Sequence, residues 1–440
     1  MTDVKQKVKL PTGARWGALL LIMGCITINY VDRVNLSVAA PTLMEVFGLT
    51  PTEMGVLMSA FFWSYVIIMI PAGMLLVKFG AKFIMGISCF LWGLATMATA
   101  LVNGFGSFLF VRILLGVAEG PAYPAAAQVV SVWIPKRERT FASGTFDACS
   151  RVGSAFTPPL VAWIIVHWGW QASFVVTGVL AVLYSFVWFA KYHEPDKHPR
   201  VSQEELAYIR QDEVVDDSGK VVTTDPIPVP MLFTYRKTIL LFVGWFCYLY
   251  YWNVFTTWIP AYLVQARGFD LKSMGVAAMI PFICAIPCQS FGGWCFDKML
   301  QKGMGHNMVR RLGTFICMFG GAITLLIAVQ ATTPLSTVVW LTVTMMVYSF
   351  GASIMWALDN DIAPYGQAGT ISGTKGTIGQ FSGLLAPIVS GALIGMASDT
   401  VTGYNNALYV VIAITALGGV LYLLNDYSTK LVPRSTKKAR

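Results

Sequence analysis

The sequence predicts an all-α polytopic membrane protein, with twelve transmembrane helices arranged as two halves of six. Three observations predict it. Of its 440 residues, 56% are hydrophobic and only 12% charged, whereas soluble domains have about a quarter of their residues charged. Apolar stretches near the ~20 residues needed to cross a bilayer recur along the whole chain. One sizeable polar segment, 193–236, divides six of those stretches from the other six.

In the first half, spans are expected near 16–40, 53–77, 82–102, 106–133, 140–166 and 171–192. In the second they are expected near 237–264, 273–300, 310–330, 335–360, 367–396 and 404–425. Lys5, Lys7, Lys9 and Arg15 run into the first block with no small-residue cleavage pattern, so it reads as a retained helix and not a signal peptide. Gly120-Pro121, Pro124 and Pro158-Pro159 interrupt the fourth and fifth spans, as expected where helices bend or approach closely. The polar segment holds His193-Glu194-Pro195-Asp196-Lys197-His198-Pro199, a short helical piece around 204–210, and Asp216-Asp217-Ser218-Gly219-Lys220. The expected domains are therefore an N-terminal six-helix bundle (1–192), a central loop (193–236) and a C-terminal six-helix bundle with a basic tail (237–440).

The net charge of +9 sits mostly in short loops and tails, so it orients helices and does not point to nucleic acid. Loops after the second, fourth and eighth spans carry Lys78 with Lys82, Lys136-Arg137-x-Arg139, and Arg310-Arg311. The opposite loops show little beyond Arg267 and Lys272. By the positive-inside rule both termini and the central loop are cytoplasmic. The bilayer is thus the surrounding partner, and a functional monomer is expected. Eight cysteines lie in apolar stretches without zinc-type spacing, and Cys284-x-x-x-Cys288 reads as one helix face. His167, His193, His198 and His306 lie in or beside loops. There is no Ser/His/Asp ordering and no phosphate loop, so neither an enzyme nor a cofactor is expected.

Function is carried by charges inside the spans. A charged residue at a helix centre costs roughly 2.5–3.5 kcal/mol on insertion scales, so it persists where it faces a polar path. Asp32 and Arg33 fall in the first span, and Arg112 and Glu119 in the fourth. Arg112 and Glu119 are seven residues apart and share one face. Rise per residue makes Asp32 and Arg112 partners at one depth, leaves Arg33 to meet an anion, and sets Glu119 below it. Carboxylates so placed take and lose a proton as the arginines engage an anion; the alternative is two structural salt bridges. Asp147 and Arg151 form an i,i+4 pair in the fifth span, either internally neutralised or binding substrate. Asp359 and Asp361 end the tenth span and Lys375 lies in the eleventh, where a gate or loop salt bridge is expected. Tyr30, Tyr65, Tyr248, Tyr251, Trp252, Asn253, Trp356 and Gln380 fall at mid-span as packing or cavity groups.

A weak internal repeat links the halves. Gly73-Met-Leu-Leu-Val77-Lys78-Phe-Gly80-Ala-Lys82 follows the second span, and Gly293-Trp-Cys-Phe-Asp297-Lys298 ends the eighth. Both resemble the loop motif of the major facilitators, in which a carboxylate caps a neighbouring helix. Val77 stands where that carboxylate is usual, so the first copy is weakened or built differently. The plainer reading is a glycine turn with positive-inside lysines. As a motif, Lys82, Asp297, Lys298 and, farther on, Lys375 are gating candidates.

The segments Tyr-Val-Asp-Arg-Val-Asn-Leu-Ser-Val-Ala-Ala-Pro (30–41) and Arg-Ile-Leu-Leu-Gly-Val-Ala-Glu-Gly-Pro-Ala-Tyr-Pro (112–124) resemble signatures of the anion:cation symporter family of the major facilitators. His193-Glu194-Pro, His198-Pro and Tyr262-Leu-Val-Gln-Ala-Arg-Gly268 are similar to bacterial glucarate and galactonate carriers, with sialin and the vesicular glutamate carriers as more distant relatives. The resemblance implies the major facilitator fold in a bacterial cytoplasmic (inner) membrane. It also implies proton-driven import of an organic anion, a sugar acid such as an aldonate, aldarate or hexuronate, by alternating access. Asp32 and Glu119 would couple protons. Arg33, Tyr30, Tyr65 and Trp356 would line the substrate site, with Arg112 tuning the carboxylates. Lys375 beside Gly376, and Ser150 beside Asp147 and Arg151, depart from the amide-rich pattern of those carriers. That leaves room for an exchanger or exporter of a non-sugar acid such as a dicarboxylate, or for a transporter-like sensor.

Overall fold

A computed structural model describes residues 13–135, 138–210, 228–364 and 368–431. Lys5, Lys7, Lys9, Lys136, Arg137, the 216–220 run and the tail from Val432 lie outside them. In chain order the α-helices are α1 (Ala14–Phe47), α2 (Pro51–Ala98), α3 (Phe105–Glu119), α4 (Ala122–Trp133), α5 (Arg139–Trp168) and α6 (Trp170–Lys191). Then come the short α7 (Gln203–Arg210) and α8 (Val229–Leu232), followed by α9 (Arg236–Gln265), α10 (Leu271–Gln301) and α11 (His306–Phe315). The last four are α12 (Gly321–Gln330), α13 (Pro334–Ile362), α14 (Ala368–Met396) and α15 (Thr400–Leu423).

Eleven helical stretches are long and apolar enough to span a membrane, and one of them, Pro51–Leu101, has 51 residues. That is more than twice the ~20 residues a crossing needs. It breaks at Gly80, whose φ of 79° and ψ of 161° lie in the left-handed region glycine tolerates, so α2 supplies two spans and the total is twelve. α3 and α4 form one span interrupted at Gly120-Pro121. α11 and α12 form another, joined by a π-helical turn at Ile316–Gly320. The spans make two halves of six, as the sequence predicts.

Both ends of the described chain, near Gly13 and Leu431, lie on one face of the bundle. There Arg311 donates to the Asn425 carbonyl at 3.0 Å and Asn425 Nδ2 to the Lys237 carbonyl at 3.0 Å, tying the end of α15 to the starts of α9 and α11. On the same face α7 docks on the first half. The carboxylate of Glu205 accepts from the backbone N–H of Arg15 at 3.1 Å and of Ala14 at 3.3 Å, satisfying amides left open at the α1 N-terminus. Arg15 Nε then reaches Glu138 at 3.2 Å, which also accepts from Tyr208 at 2.6 Å.

The halves meet near the other face. Among the described residues two side-chain hydrogen bonds join them, Thr52 to the Gly391 carbonyl at 3.4 Å and Ser59 to the Leu384 carbonyl at 2.6 Å. Both start in the first turns of α2. Gly55 and Gly391 let α2 and α14 touch backbone to backbone there. A Cβ on Gly391 would meet the Pro51 carbonyl oxygen at 2.5 Å, and one on Gly55 would collide with that of Pro387. Toward the termini there is open space instead: nothing lies within 4 Å of where a side chain would begin at Gly144 of α5, or at Gly373 and Gly376 of α14.

Candidate functional site

Asn29, Tyr30, Asp32 and Arg33 sit at the middle of α1. Asn29 and Arg33 are four residues apart, so they share a face, and both point at Glu119, the last residue of α3. Asn29 Nδ2 donates to Glu119 Oε2 at 2.7 Å and Arg33 Nε donates to the same oxygen at 2.8 Å. Glu119 is fully buried and its other oxygen has no partner. The Arg33 guanidinium carbon lies 4.7 Å from the ring centroids of Phe61 and Tyr65, and 5.5 Å from that of Tyr30. Such cation–π contacts hold the cation in place without neutralising it. Arg33 Nη2 and the Tyr65 hydroxyl are unpartnered, while Tyr123 donates to the Tyr30 hydroxyl at 3.2 Å.

Asp32 turns about 100° away from Arg33 around the helix. It is 2% exposed, and neither carboxyl oxygen is hydrogen-bonded. A charge buried without a partner is costly, so the charge state of Asp32 bears directly on the packing around it. The expected Asp32–Arg112 pair does not form. Arg112 makes no ion pair among the described residues; its guanidinium carbon lies 5.4 Å from the Phe61 centroid, with Nε unpartnered. Equal depth is necessary for pairing but not sufficient, and helical phase gives the close contact to Arg33 and Glu119 instead. Phe61 is thereby held between two guanidiniums.

On α5, Arg151 Nη1 is 3.6 Å from Asp147 Oδ2. That is an ion pair too long to be a hydrogen bond, and the buried Nε has no partner. Arg151 belongs to the first half, yet its guanidinium carbon lies 5.3 Å from the ring of Trp252 on α9 in the second. Behind Trp252 is an aromatic wall: Tyr348 stacks on Tyr248 at 4.7 Å and on Tyr251 at 4.2 Å. Asn253 is committed to packing, with its amide on Ser382 at 2.9 Å.

Lys375 pairs within its own half. Its Nζ is 2.6 Å from Asp359 Oδ1, and Ser372 donates to the other oxygen at 2.6 Å. The ammonium lies 3.9 Å from the Trp245 ring and 5.3 Å from that of Trp356. Lys375 and Asp359 are 1% and 2% exposed, whereas Trp356 is 44% exposed. Asp361 pairs separately with Arg310 at 2.7 Å.

Of the remaining motif residues, Lys82 is partly exposed, Asp297 and Lys298 are exposed, and none has an ion pair among the described residues. The cap that Val77 cannot provide comes from Glu194, whose Oε1 accepts from the Ala81 backbone N–H at 3.2 Å, just past the Gly80 break. Sequence reasoning missed Asn29, Phe61, Tyr123 and Trp245. Asn29 and Phe61 lie one helical turn before Arg33 and Tyr65, and Tyr123 one turn after Glu119, so an i,i+4 search from each charged or aromatic position would have found these three; Trp245 meets Lys375 from another helix and carries no such signal.

The arrangement is a cation whose counter-ion is a titratable carboxyl, on an aromatic floor, beside a cleft between two halves. The family model described as Major Facilitator Superfamily matches residues 22–387. The chain is 31% identical over 429 residues to a probable galactarate/D-glucarate transporter of Bacillus subtilis (strain 168), covering 94% of this chain and 92% of that one. It is 30% identical over 427 residues to a D-galactonate transporter of Escherichia coli O6:H1, covering 96% and 98%. A bacterial homolog of the human lysosomal transporter Spinster, solved inward-facing and occupied, shares the fold with a TM-score of 0.74 at 15% identity, over 94% of this chain and 97% of that one. The chain is a transporter and not an enzyme, and it belongs to the Major Facilitator Superfamily.

Proposed function

We propose that the protein imports a sugar acid with protons by alternating access across a bacterial cytoplasmic membrane, both termini lying in the cytoplasm. The observation that carries the reading is the 2.8 Å bond from Arg33 to Glu119. Protonating Glu119 removes the negative charge that holds Arg33 and frees the guanidinium for the carboxylate of a substrate. Binding a proton and binding an anion then favour each other, and that linkage is reciprocal. Asp32, buried without a partner, is the second proton-carrying group. Tyr30, Tyr65, Phe61 and the exposed Trp356 offer aromatic faces to a sugar chain, and Arg112 sets the field at both carboxyls. The open space beside the termini corresponds to a state open to the cytoplasm, in which Lys82, Asp297 and Lys298 stand as unlatched gate residues. The relatives support a sugar acid as the cargo, since two of them are described as carriers of aldarates and of an aldonate.

The test is uptake into proteoliposomes of labelled aldonates, aldarates, hexuronates and simple dicarboxylates, with and without an inward proton gradient. Gradient-stimulated accumulation of one sugar acid is expected. Uptake that ignores the gradient but is stimulated by the same acid inside the vesicle would replace symport with exchange.

A further inference from the structure

The site described so far is built around Arg33, which has a carboxylate within hydrogen-bonding distance. Arg151 does not. It is buried, its Nε has no partner, and the nearest carboxylate oxygen is 3.6 Å away. A guanidinium offers five donors, and a donor left open in a dry place is costly. An acceptor entering from the cleft would relieve that cost.

The two arginines belong to one space. Tyr30 stands between them: its ring is 5.5 Å from the Arg33 guanidinium carbon, and its Cβ packs against α5 at Gly153, where an added Cβ would lie 2.7 Å away. Gly153 is two residues from Arg151. Tyr30, Arg33 and Asp147 are all partly exposed, so the cleft reaches both ends of this row. The far end is closed by Trp252 of the other half.

We infer that Arg151 is a second anion anchor, and that the site selects a molecule with acidic groups at both ends, one carboxylate on Arg33 and the distal one on Arg151. The inference rests on the anion-transport reading above and adds the number of charges the cargo carries. A monoacid engages Arg33 alone and leaves the Arg151 donors open. A diacid satisfies both, and its distal carboxylate competes with Asp147 for the guanidinium. Because Arg151 also touches Trp252, the distal group is read where the two halves meet.

Binding of matched acids to the purified full-length protein, followed by titration calorimetry, tests this. The pairs are D-glucarate with D-gluconate, and adipate with hexanoate. The protein is expected to bind the diacid of a pair at least ~10-fold more tightly, the scale of one charge-assisted hydrogen bond. Arg151→Gln is expected to erase that preference while changing monoacid affinity less than ~3-fold, and Arg151→Lys to retain part of it. Retained monoacid binding reports that the variant is folded; should Arg151→Gln bind nothing, the Lys variant decides, a kept preference supporting the anchor and a lost one overturning it. Equal affinity for both members of each pair, or an equal loss on both in Arg151→Gln, overturns the inference. Diacid preference confined to the adipate pair upholds the anchor and removes the sugar-acid reading. No binding of any of the four acids removes both.

Discussion

The two halves share a fold but handle buried charge in opposite ways. In the second half Lys375 and Asp359 form one close ion pair, with Ser372 on the other carboxylate oxygen and two tryptophans beside the ammonium, although Asp359 Oδ1 makes no hydrogen bond of its own. In the first half Arg33 and Glu119 are joined by one bond, while Asp32, Arg112 and Arg151 all keep unpartnered polar atoms. A buried ion pair held within one half stabilises one arrangement. A partly satisfied cluster is poised to exchange partners, which is what a transport cycle requires. On the proposed reading, the moving charges belong to the first half and a fixed counter-surface, mostly aromatic, to the second.

The largest expected effect breaks the moving side. Glu119→Gln cannot neutralise Arg33 or carry the proton, so gradient-driven accumulation should fall to the equilibrium ratio while counterflow exchange of the same acid persists. Normal accumulation by this variant at neutral pH would move the coupling role elsewhere. Next, Arg33→Ala removes the anion's partner and leaves Glu119 held by Asn29 alone. Substrate affinity should drop by ~10-fold or more, the worth of a charge-assisted bond, and titration calorimetry showing unchanged affinity would take Arg33 out of the site.

The fixed side should respond in stability instead. Lys375→Met strands Asp359 in a dry shell and is expected to cost about 3–5 kcal/mol, seen as a large drop in the unfolding midpoint in detergent. Adding Asp359→Leu should recover most of it. If the double variant is as unstable as the single, the pair is more than a neutralised structural bond. A surface pair gives the smallest effect. Lys237, Ser428 and Thr429 beside Asp426 hold its carboxyl well below the usual carboxylate range. A lowered folded value means the contribution is complete above the ordinary carboxylate range and fades as pH falls through the lower folded one. Asp426→Asn should therefore cost under ~1 kcal/mol, unchanged between pH 6 and 8, and vanishing only in strong acid when wild type and variant are compared by thermal melts.

Much of the fold was legible because lipid imposes its demands locally. Each span must be apolar and long enough on its own, and the break at Gly80 and the helix at 203–210 could be placed from glycine, lysine and glutamate positions alone. The candidate cluster was legible as a set of residues: Asp32, Arg33, Arg112 and Glu119 fall inside apolar spans, where charge is costly. Their pairing was not. Which side chain meets which depends on the rotation of α1 against α3, and one sequence carries no term for that angle. The replacement of Val77 by Glu194 was hidden for a related reason, since the cap arrives from 113 residues away. Lys375 and Asp359 were visible as charges, but only their position inside one half distinguishes a closed pair from a bridge between two.

The glycine seam where α2 meets α14 has a mechanical meaning of its own. On that face the halves are sealed by backbone contact at Gly55 and Gly391 and by two hydroxyl bonds, with no ionic latch among the described residues. The seal is therefore insensitive to salt and is set by shape. Gly391→Ala would act as a wedge, costing the closed form about 1–3 kcal/mol and leaving the charged cluster untouched. Each 1.4 kcal/mol is a tenfold change in the ratio of the two forms. On the alternating-access reading, the resting bias, measured by how readily a cysteine placed in the cleft is labelled from either side, is thus adjustable by volume alone.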